Sequence, residues 1–429
     1  MVQLKVEPSK LSGEVTAPPS KSYTHRAFMI AALAQGESKI VNPLLSLDTE
    51  ATIEAVRALG AKVVQEGRIW RVNGTGGELK PRVDVIDTKN SGTTIRLMSA
   101  IAALSPKPIR LTGDQSILKR PMGQLIEALE KLGAKARCEG KGGRPPVVVG
   151  GGLSGGSVEI TGSVSSQFIS ALLIASPYAR ENVELTITEE LRSKPYIEIT
   201  LELLDAVGAN IKRNRDLTEF KIRGSQTFRA LDMTIPGDFS SAAFVLGAAA
   251  LTGSNVKVNN LDIRGAQGDR RIIKFLEEFG ADVKTRGKIV EVSATGELSG
   301  IEADCGDNPD LVPVLAVLGS VASGRTRLLN IPHLRFKETD RIRALAVELR
   351  KMGAEVEERP DELKLKGVKH LRGTRLSSHG DHRMAMAFAV AGLAARGETI
   401  VDGAESIPVS YPGFVGDMRK LGAKLELVK

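Results

Sequence analysis

The chain is poor in the residues that several common kinds of function require. Its two cysteines, Cys138 and Cys305, stand far apart and form no CxxC pair. That argues against a disulfide framework or a cysteine-based zinc site. The five histidines, at 25, 333, 370, 379 and 382, show neither HxH nor HExxH spacing, so no metal site is expected. Aromatic residues make up only 4% of the chain, too few for a base-stacking surface. No apolar run reaches the ~18–20 residues of a membrane span. The longest apolar helical stretches, such as 242–251, are about half that length. The start, Met1-Val2-Gln3-Leu4-Lys5-Val6-Glu7, has no apolar signal core after a basic stretch. A cytoplasmic protein that does not enter a membrane is the expectation.

What is present is a basic excess, a formal charge of +8 over 429 residues, which suggests an anionic partner without naming it. Charge alone leaves nucleic acid open. The cations, however, gather at predicted helix starts beside Ser and Asn rather than in a stripe studded with aromatics, which favours small anions.

The strongest pattern is internal repetition. Amphipathic segments end in a Gly-Ala pair six times, at Gly60, Gly133, Gly208, Gly280, Gly353 and Gly422, spaced by 69 to 75 residues. In Gln124–Leu132 the apolar residues fall at i, i+3, i+4 and i+7, the helical period. Glycine then provides the left-handed stop, and a short strand follows. A second series interleaves with the first. It begins near Ser22, Gly92, Ser166, Ser240, Asp310 and His382, and each member continues as an Ala/Gly-rich apolar helix. Phe168 to Ala175 is apolar almost all round, so such a helix must be buried on most faces.

Each unit of about 70 residues therefore holds one buried helix, one surface helix and several short strands, among them Val83–Ile86, Val183–Ile187 and Val256–Val258. A unit that small buries little core alone, so units must associate. The expected fold class is α/β (α+β), with two domains of three repeats each. A break is predicted near Thr234–Asp238 and a second crossing near Ala17–Ser20. This gives one domain from residues 1–19 and 237–429 and another from 20–236. The strand Gln3–Glu7 is expected to pair with the second half.

The starts of the buried helices carry Ser, Thr, Asn and Asp together with cations: 20–26, 90–96, 165–167, 237–241, 307–310 and 380–383. A helix N-terminus has unpaired N–H groups and a partial positive charge. The polar residues by themselves read as ordinary caps. A lysine or arginine there is electrostatically unfavourable, and several such cases point to an anionic ligand. Three surface helices are also predicted to begin beside cations, at Lys119-Arg120-Pro121, Ser193-Lys194-Pro195-Tyr196 and Lys337-Glu338-Thr339-Asp340-Arg341. The prolines are read as occupying the first helical positions.

With these motifs, in this order and along the whole chain, the sequence resembles the 5-enolpyruvylshikimate-3-phosphate synthases. Pro19-Ser20-Lys21-Ser22 with Arg26, Asn90-Ser91-Gly92-Thr93 with Arg96, Arg120-Pro121-Met122, Ser165-Ser166-Gln167, and Asp381-His382-Arg383-Met384 carry the likeness beside the three segments above. The resemblance implies an inside-out α/β barrel in each of two domains, ligands bound between the domains, a monomer, and no cofactor. It matches Lys21, Ser22, Arg26, Ser165, Ser166, Gln167, Ser193, Tyr196, Asp310 and Lys337 to positions that hold shikimate 3-phosphate. It matches Lys21, Gly92, Arg120, Gln167, Asp310, Glu338, Arg341 and Arg383 to the surroundings of phosphoenolpyruvate, with Asn90 and His382 in or beside that group.

The chemistry of these residue types agrees. Arginines suit the phosphate and carboxylate of phosphoenolpyruvate. Gly92, having no Cβ, is read as letting the backbone approach a small ligand. The implied reaction, addition followed by elimination, needs a base, an acid and cations for the departing phosphate. Asp310 is the candidate base, and Glu338 and Lys21 are candidates for proton transfer at C3. The chain departs from the family at Val409, where a lysine is usual, at His333, where an asparagine is usual, and at Pro19. UDP-N-acetylglucosamine enolpyruvyl transferases fit less well, because Ser22 follows Lys21 and no cysteine lies between Gly113 and Arg120.

Overall fold

The structure, a computed structural model, describes residues 2–293 and 297–429. Twelve α-helices are formed by the described residues: α1 Lys21–Leu33, α2 Leu47–Ala58, α3 Gly92–Ala103, α4 Gly123–Lys131, α5 Ser166–Ala175, α6 Lys194–Ala206, α7 Phe239–Thr252, α8 Ile272–Glu278, α9 Val312–Gly319, α10 Arg341–Lys351, α11 His382–Leu393 and α12 Phe414–Lys420. Odd-numbered helices are the apolar series and even-numbered ones the amphipathic series. The six glycines that end the amphipathic helices all have positive φ, from 82° at Gly208 to 111° at Gly60. A left-handed residue there closes the last turn with backbone bonds such as Gly133 N to Glu130 O and Ala134 N to Leu129 O.

The strands of the described residues form six four-stranded sheets of one design: a parallel pair followed by an antiparallel pair, which is a hairpin in five of them and joins the two ends of the chain in the sixth. In the strand Val183–Thr188 the residues Val183, Leu185 and Ile187 are buried, and those between them are exposed. One face is thus against the core and one toward water. The expected strand at Val83–Ile86 is shifted to Val85–Asp87, because pairing with Ile109–Thr112 begins at Val85 and leaves Val83 exposed. The strand Ser12–Thr16 has only Val15 buried and carries no sequence signal. It forms by parallel pairing with Asn255–Asn259.

The chain divides into two compact units, Met1–Pro18 with Pro236–Lys429, and Pro19–Ile235. In the first, Gln3–Glu7 pairs with Thr399–Asp402 and Lys424–Val428, so the start of the chain completes sheets of its second half. In the second, Asp232–Thr234 pairs with Glu37–Val41, and the end of the unit completes the sheet at its beginning. Three buried helices pack together in the first unit: α7, α9 and α11. A Cβ on Gly247 of α7 would lie 2.5 Å from Val314 Cγ2 of α9, so their approach depends on the missing side chain. In the second unit α3 packs on both α1 and α5.

Two helix starts differ from expectation. α9 begins at Val312 after Leu311, so Asp310 lies in the preceding turn and does not cap it. α4 begins at Gly123, two residues beyond Pro121. In both cases backbone bonds of the preceding turn, Leu311 N to Asn308 O and Arg120 N to Ile117 O, delay the helix.

Candidate functional site

The residues singled out from the sequence fall into two clusters, one in each unit.

In the unit Pro19–Ile235, the starts of α1, α3, α5 and α6 supply the first cluster. Lys21 opens α1, and its Nζ lies 2.8 Å from Asp48 Oδ2 at the start of α2. Burial would raise the Asp48 carboxyl, but Lys21 and His25 hold it well below the ordinary range. Ser22 is partly exposed, and its carbonyl accepts from Arg26 Nη1 at 3.1 Å. Arg26 is buried. It also donates to Thr200 Oγ1 at 2.7 Å and Ser170 Oγ at 3.3 Å, tying α1 to α6 and α5. Desolvation lowers its pKa to about 10.

Ser165 caps α5 by accepting from Gln167 N, and Ser166 follows as the first helical residue. Gln167 is fixed at both ends: Oε1 accepts from Arg96 Nη1 at 2.8 Å, and Nε2 donates to Thr93 Oγ1 at 2.9 Å. Arg96 packs over the Phe168 ring at 5.4 Å. Ser193, ahead of α6, adopts left-handed backbone at φ 59°, a conformation costly for a non-glycine residue. Tyr196 follows in the first turn, partly exposed.

Gly92 opens α3 after Ser91, whose hydroxyl caps the helix. At Gly92 the missing Cβ also leaves space for a neighbouring side chain. A Cβ there would fall 2.1 Å from Arg120 Nη1, so the missing side chain makes room for the guanidinium. Arg120 is buried and also donates to Ser116 Oγ at 3.4 Å. Asn90 donates its amide to Asp114, in the segment leading to Arg120.

The second cluster lies in the other unit, around Arg341 at the start of α10. Its guanidinium is buried and meets three carboxylates. Nε donates to Asp381 Oδ2 at 2.7 Å, Nη1 to Asp310 Oδ1 at 2.8 Å and Nη2 to Glu338 Oε2 at 2.8 Å. Burial opposes the charge of Arg341, but the three carboxylates outweigh it and hold the pKa above the ordinary arginine value. Asp310 spans two arginines, because its Oδ2 lies 2.8 Å from Arg383 Nη2. Asp381 serves twice, capping α11 through Arg383 N at 2.8 Å while it holds Arg341. His382 is buried beside it, with Nδ1 3.9 Å from Asp381 Oδ1. Lys337, partly exposed, ends the short 3-10 helix Pro332–Phe336, in which His333 is buried.

The sequence reading placed cations at helix starts and expected an external anion to balance them. Within the protein Arg341, Arg383 and Lys21 are met by Asp381, Asp310, Glu338 and Asp48. Asp48, Asp381 and Asp269 were not singled out as site residues. Asp381 reads as an ordinary helix cap, Asp48 lies in none of the motifs, and nothing in their spacing announces an arginine or lysine partner. Asp269 is fully buried, bonded to Ser240 Oγ and, at 3.3 Å, to Asn308 Nδ2. Desolvation first, and then the nearby Asp310 charge, push its carboxyl up to about 7.

Among the described residues, no three His, Cys, Asp or Glu side chains gather as a metal-binding group, and no helix is long and apolar enough to cross a membrane. A basic groove lined by Arg325, Arg327, Arg350, Arg359 and Lys364 contains none of the candidate residues. Of its cations, Arg327 pairs with Glu302 and Glu362, and Arg359 with Glu357.

The fold matches solved structures of EPSP synthase. Two structures from Acinetobacter baumannii match over 100% of both chains, with TM-scores of 0.84 and 0.82 at 28% and 27% sequence identity. The family model described as EPSP synthase (3-phosphoshikimate 1-carboxyvinyltransferase) matches residues 6–418, and the chain belongs to that family. It is 48% identical over 426 residues to the 3-phosphoshikimate 1-carboxyvinyltransferase of Methanocella arvoryzae, covering 99% of each. It is 49% identical over 423 residues to that of Methanothrix thermoacetophila, covering 98% of this chain and 99% of the relative.

Proposed function

We infer that the chain transfers the 1-carboxyvinyl group of phosphoenolpyruvate to the 5-hydroxyl of shikimate 3-phosphate, releasing phosphate. It acts as a transferase of aromatic amino-acid biosynthesis. One observation carries the assignment of residues: a carboxylate, Asp310, is held between two buried arginines, Arg341 and Arg383, at 2.8 Å each, with Glu338 on the first. This arrangement supplies both the acid–base groups and the cations that the reaction demands.

In this reading the 5-hydroxyl oxygen bonds to C2 of phosphoenolpyruvate while C3 takes a proton. Breaking the C2–O bond to phosphate, with return of a proton from C3, then re-forms the double bond. Asp310 accepts the hydroxyl proton, and Glu338 and Lys21 serve proton transfer at C3. Arg120, Arg341 and Arg383 stabilise the anions, with Asn90, Gly92, Gln167 and His382 around phosphoenolpyruvate. Lys21, Ser22, Arg26, Ser165, Ser166, Gln167, Ser193, Tyr196, Asp310 and Lys337 hold shikimate 3-phosphate. Both clusters serve one reaction, in the same monomer, in the cytoplasm.

Arg26 is also tied within the protein, by hydrogen bonds to Ser22, Ser170 and Thr200. It orders the Lys21-Ser22 turn from behind. The test is phosphate release with both substrates and with each omitted. Release only when both are present agrees with transfer, and release from phosphoenolpyruvate alone overturns it.

A further inference from the structure

Beneath Lys21 lies a continuous line of buried polar groups that the reaction scheme does not use. Lys21 Nζ meets Asp48 Oδ2 at 2.8 Å, and His25 Nε2 faces the same oxygen at 3.7 Å, an ion contact longer than a hydrogen bond. On the other side of the ring, His25 Nδ1 lies 2.7 Å from Thr52 Oγ1. Thr52 Oγ1 lies 2.6 Å from Thr94 Oγ1, which lies 2.6 Å from Ser91 Oγ. His25, Thr52, Thr94 and Ser91 are each wholly buried. They come from α1, α2, α3 and the cap of α3, so the line runs from one ligand-facing helix start to another.

The direction of these hydrogen bonds follows from electrostatics. Asp48 is an anion facing Nε2. A bare nitrogen lone pair there would be repelled, so the ring carries its proton on Nε2 and presents Nδ1 as an acceptor. Thr52 then donates to His25, Thr94 donates to Thr52, and Ser91 donates to Thr94. Each hydroxyl has one proton, so each choice fixes the next. Ser91 Oγ remains an acceptor for Thr94 N at 3.1 Å, the bond that caps α3. The opposite tautomer would reverse every step and turn the Ser91 proton away from Thr94. The charged groups acting on His25 are Asp48 from α2 and Lys21 and Arg26 from its own helix, while α3 faces the line with hydroxyls. Burial lowers the His25 pKa, with Asp48 opposing, which keeps the ring neutral near pH 7.

We propose that His25, Thr52 and Thr94 are positioning residues that couple the Lys21–Asp48 pair to the hydrogen-bond polarity of Ser91 at the start of α3. Lys21 and the Asn90–Gly92 turn are both among the parts of this unit assigned to phosphoenolpyruvate, so the proposal rests on that reading. On the Nδ1 side of the ring the hydroxyls are hydrogen-bonded one to the next, and such a buried chain gives more precise placement than separate contacts with water would.

The test has two readouts. In the full chain with 15N-labelled histidine, the His25 ring, identified by the signals lost in His25→Gln, should be the neutral Nε2–H tautomer at pH 7.5. A proton on Nδ1 overturns the proposal, whether or not the enzyme turns over. In kinetics, Thr52→Val should lower kcat/KM for phosphoenolpyruvate about tenfold, the order of one lost buried hydrogen bond. The KM for shikimate 3-phosphate should stay within about threefold. Thr52→Ser, which restores the hydroxyl and removes only a methyl, should recover most of the loss. Equal impairment by Val and Ser assigns the effect to packing and overturns the relay, as does wild-type behaviour of both. Thr94→Val and Thr94→Ser form the same pair if Thr52→Val does not fold. Absence of phosphate release from the wild type would sink the functional reading instead and leave the tautomer to decide the relay.

Discussion

The Arg120 guanidinium occupies the volume in which a side chain at Gly92 would begin: the two are close enough that a Cβ would stand 2.1 Å from Nη1. Such a contact cannot persist, and the mobile partner is the arginine. Gly92→Ala should therefore displace Arg120 while leaving the start of α3 folded. We expect the KM for phosphoenolpyruvate to rise about tenfold, equivalent to about 1.4 kcal/mol, with the KM for shikimate 3-phosphate nearly unchanged. Steady-state kinetics with each substrate varied will show it. Equal changes in both constants would mean that the backbone, not Arg120, had moved.

Arg341 sits where three carboxylates converge, and none of the three can be separated from the others without it. Arg341→Ala should leave Asp310, Glu338 and Asp381 facing one another with one cation fewer, around a position that is itself buried. Breaking a buried pair by removing one partner costs about 3–5 kcal/mol, which should appear as a clear fall in Tm. Adding Asp381→Asn to Arg341→Ala removes one of the stranded charges and should recover part of the loss. A Tm within one degree of wild type for the single variant would contradict the described network.

Asp269 provides a pH dependence of opposite sign to that of the paired acids. Its folded pKa, about 7, is above that of an unfolded aspartate, so the folded state holds the proton more tightly. The stability tied to that proton is complete below about pH 4 and is lost as pH rises to about 7. Asp269→Asn cannot ionise and is free of that loss. Its Tm relative to wild type should therefore improve from pH 5 to pH 8, by no more than about 4 kcal/mol in equivalent stability. Parallel thermal melts of the two proteins across that range measure it. A constant difference would show that Asp269 titrates as an ordinary aspartate.

Much of this architecture is legible in the sequence because its signals are local and repeated. The six Gly-Ala pairs declare their helix ends through the left-handed conformation that glycine alone adopts cheaply. The apolar helices declare their burial by having no polar face. What cannot be read is whatever depends on a distant partner. Ser12–Thr16 is a strand only because Asn255–Asn259 lies beside it. Nothing in the sequence around Gly92 announces the Arg120 guanidinium beside it. Asp381 looks like a cap and is one, and Asp48 belongs to no motif, but their charges are directed at Arg341 and Lys21, 40 and 27 residues away. Sequence spacing carries helical and strand periods, and it carries no record of which buried charges meet.

Asp310 is neither a helix cap nor a surface carboxylate, and this bears on its role. Since Leu311 precedes α9 and the Asp310 side chain spans Arg341 and Arg383, its removal should not unravel the helix. Asp310→Ala and Glu338→Ala should each lower kcat by about a hundredfold or more, the usual scale of general acid–base catalysis. Calorimetric affinity for shikimate 3-phosphate should change much less, because Asp310 is only one of the residues assigned to hold it and Glu338 is not among them. The distinction matters, for an aspartate that merely held two arginines in place would lose affinity and turnover together. Turnover unchanged in both variants would remove Asp310 and Glu338 from the proton transfers altogether. A loss confined to Glu338→Ala would leave C3 protonation where it is assigned and require another base for the 5-hydroxyl.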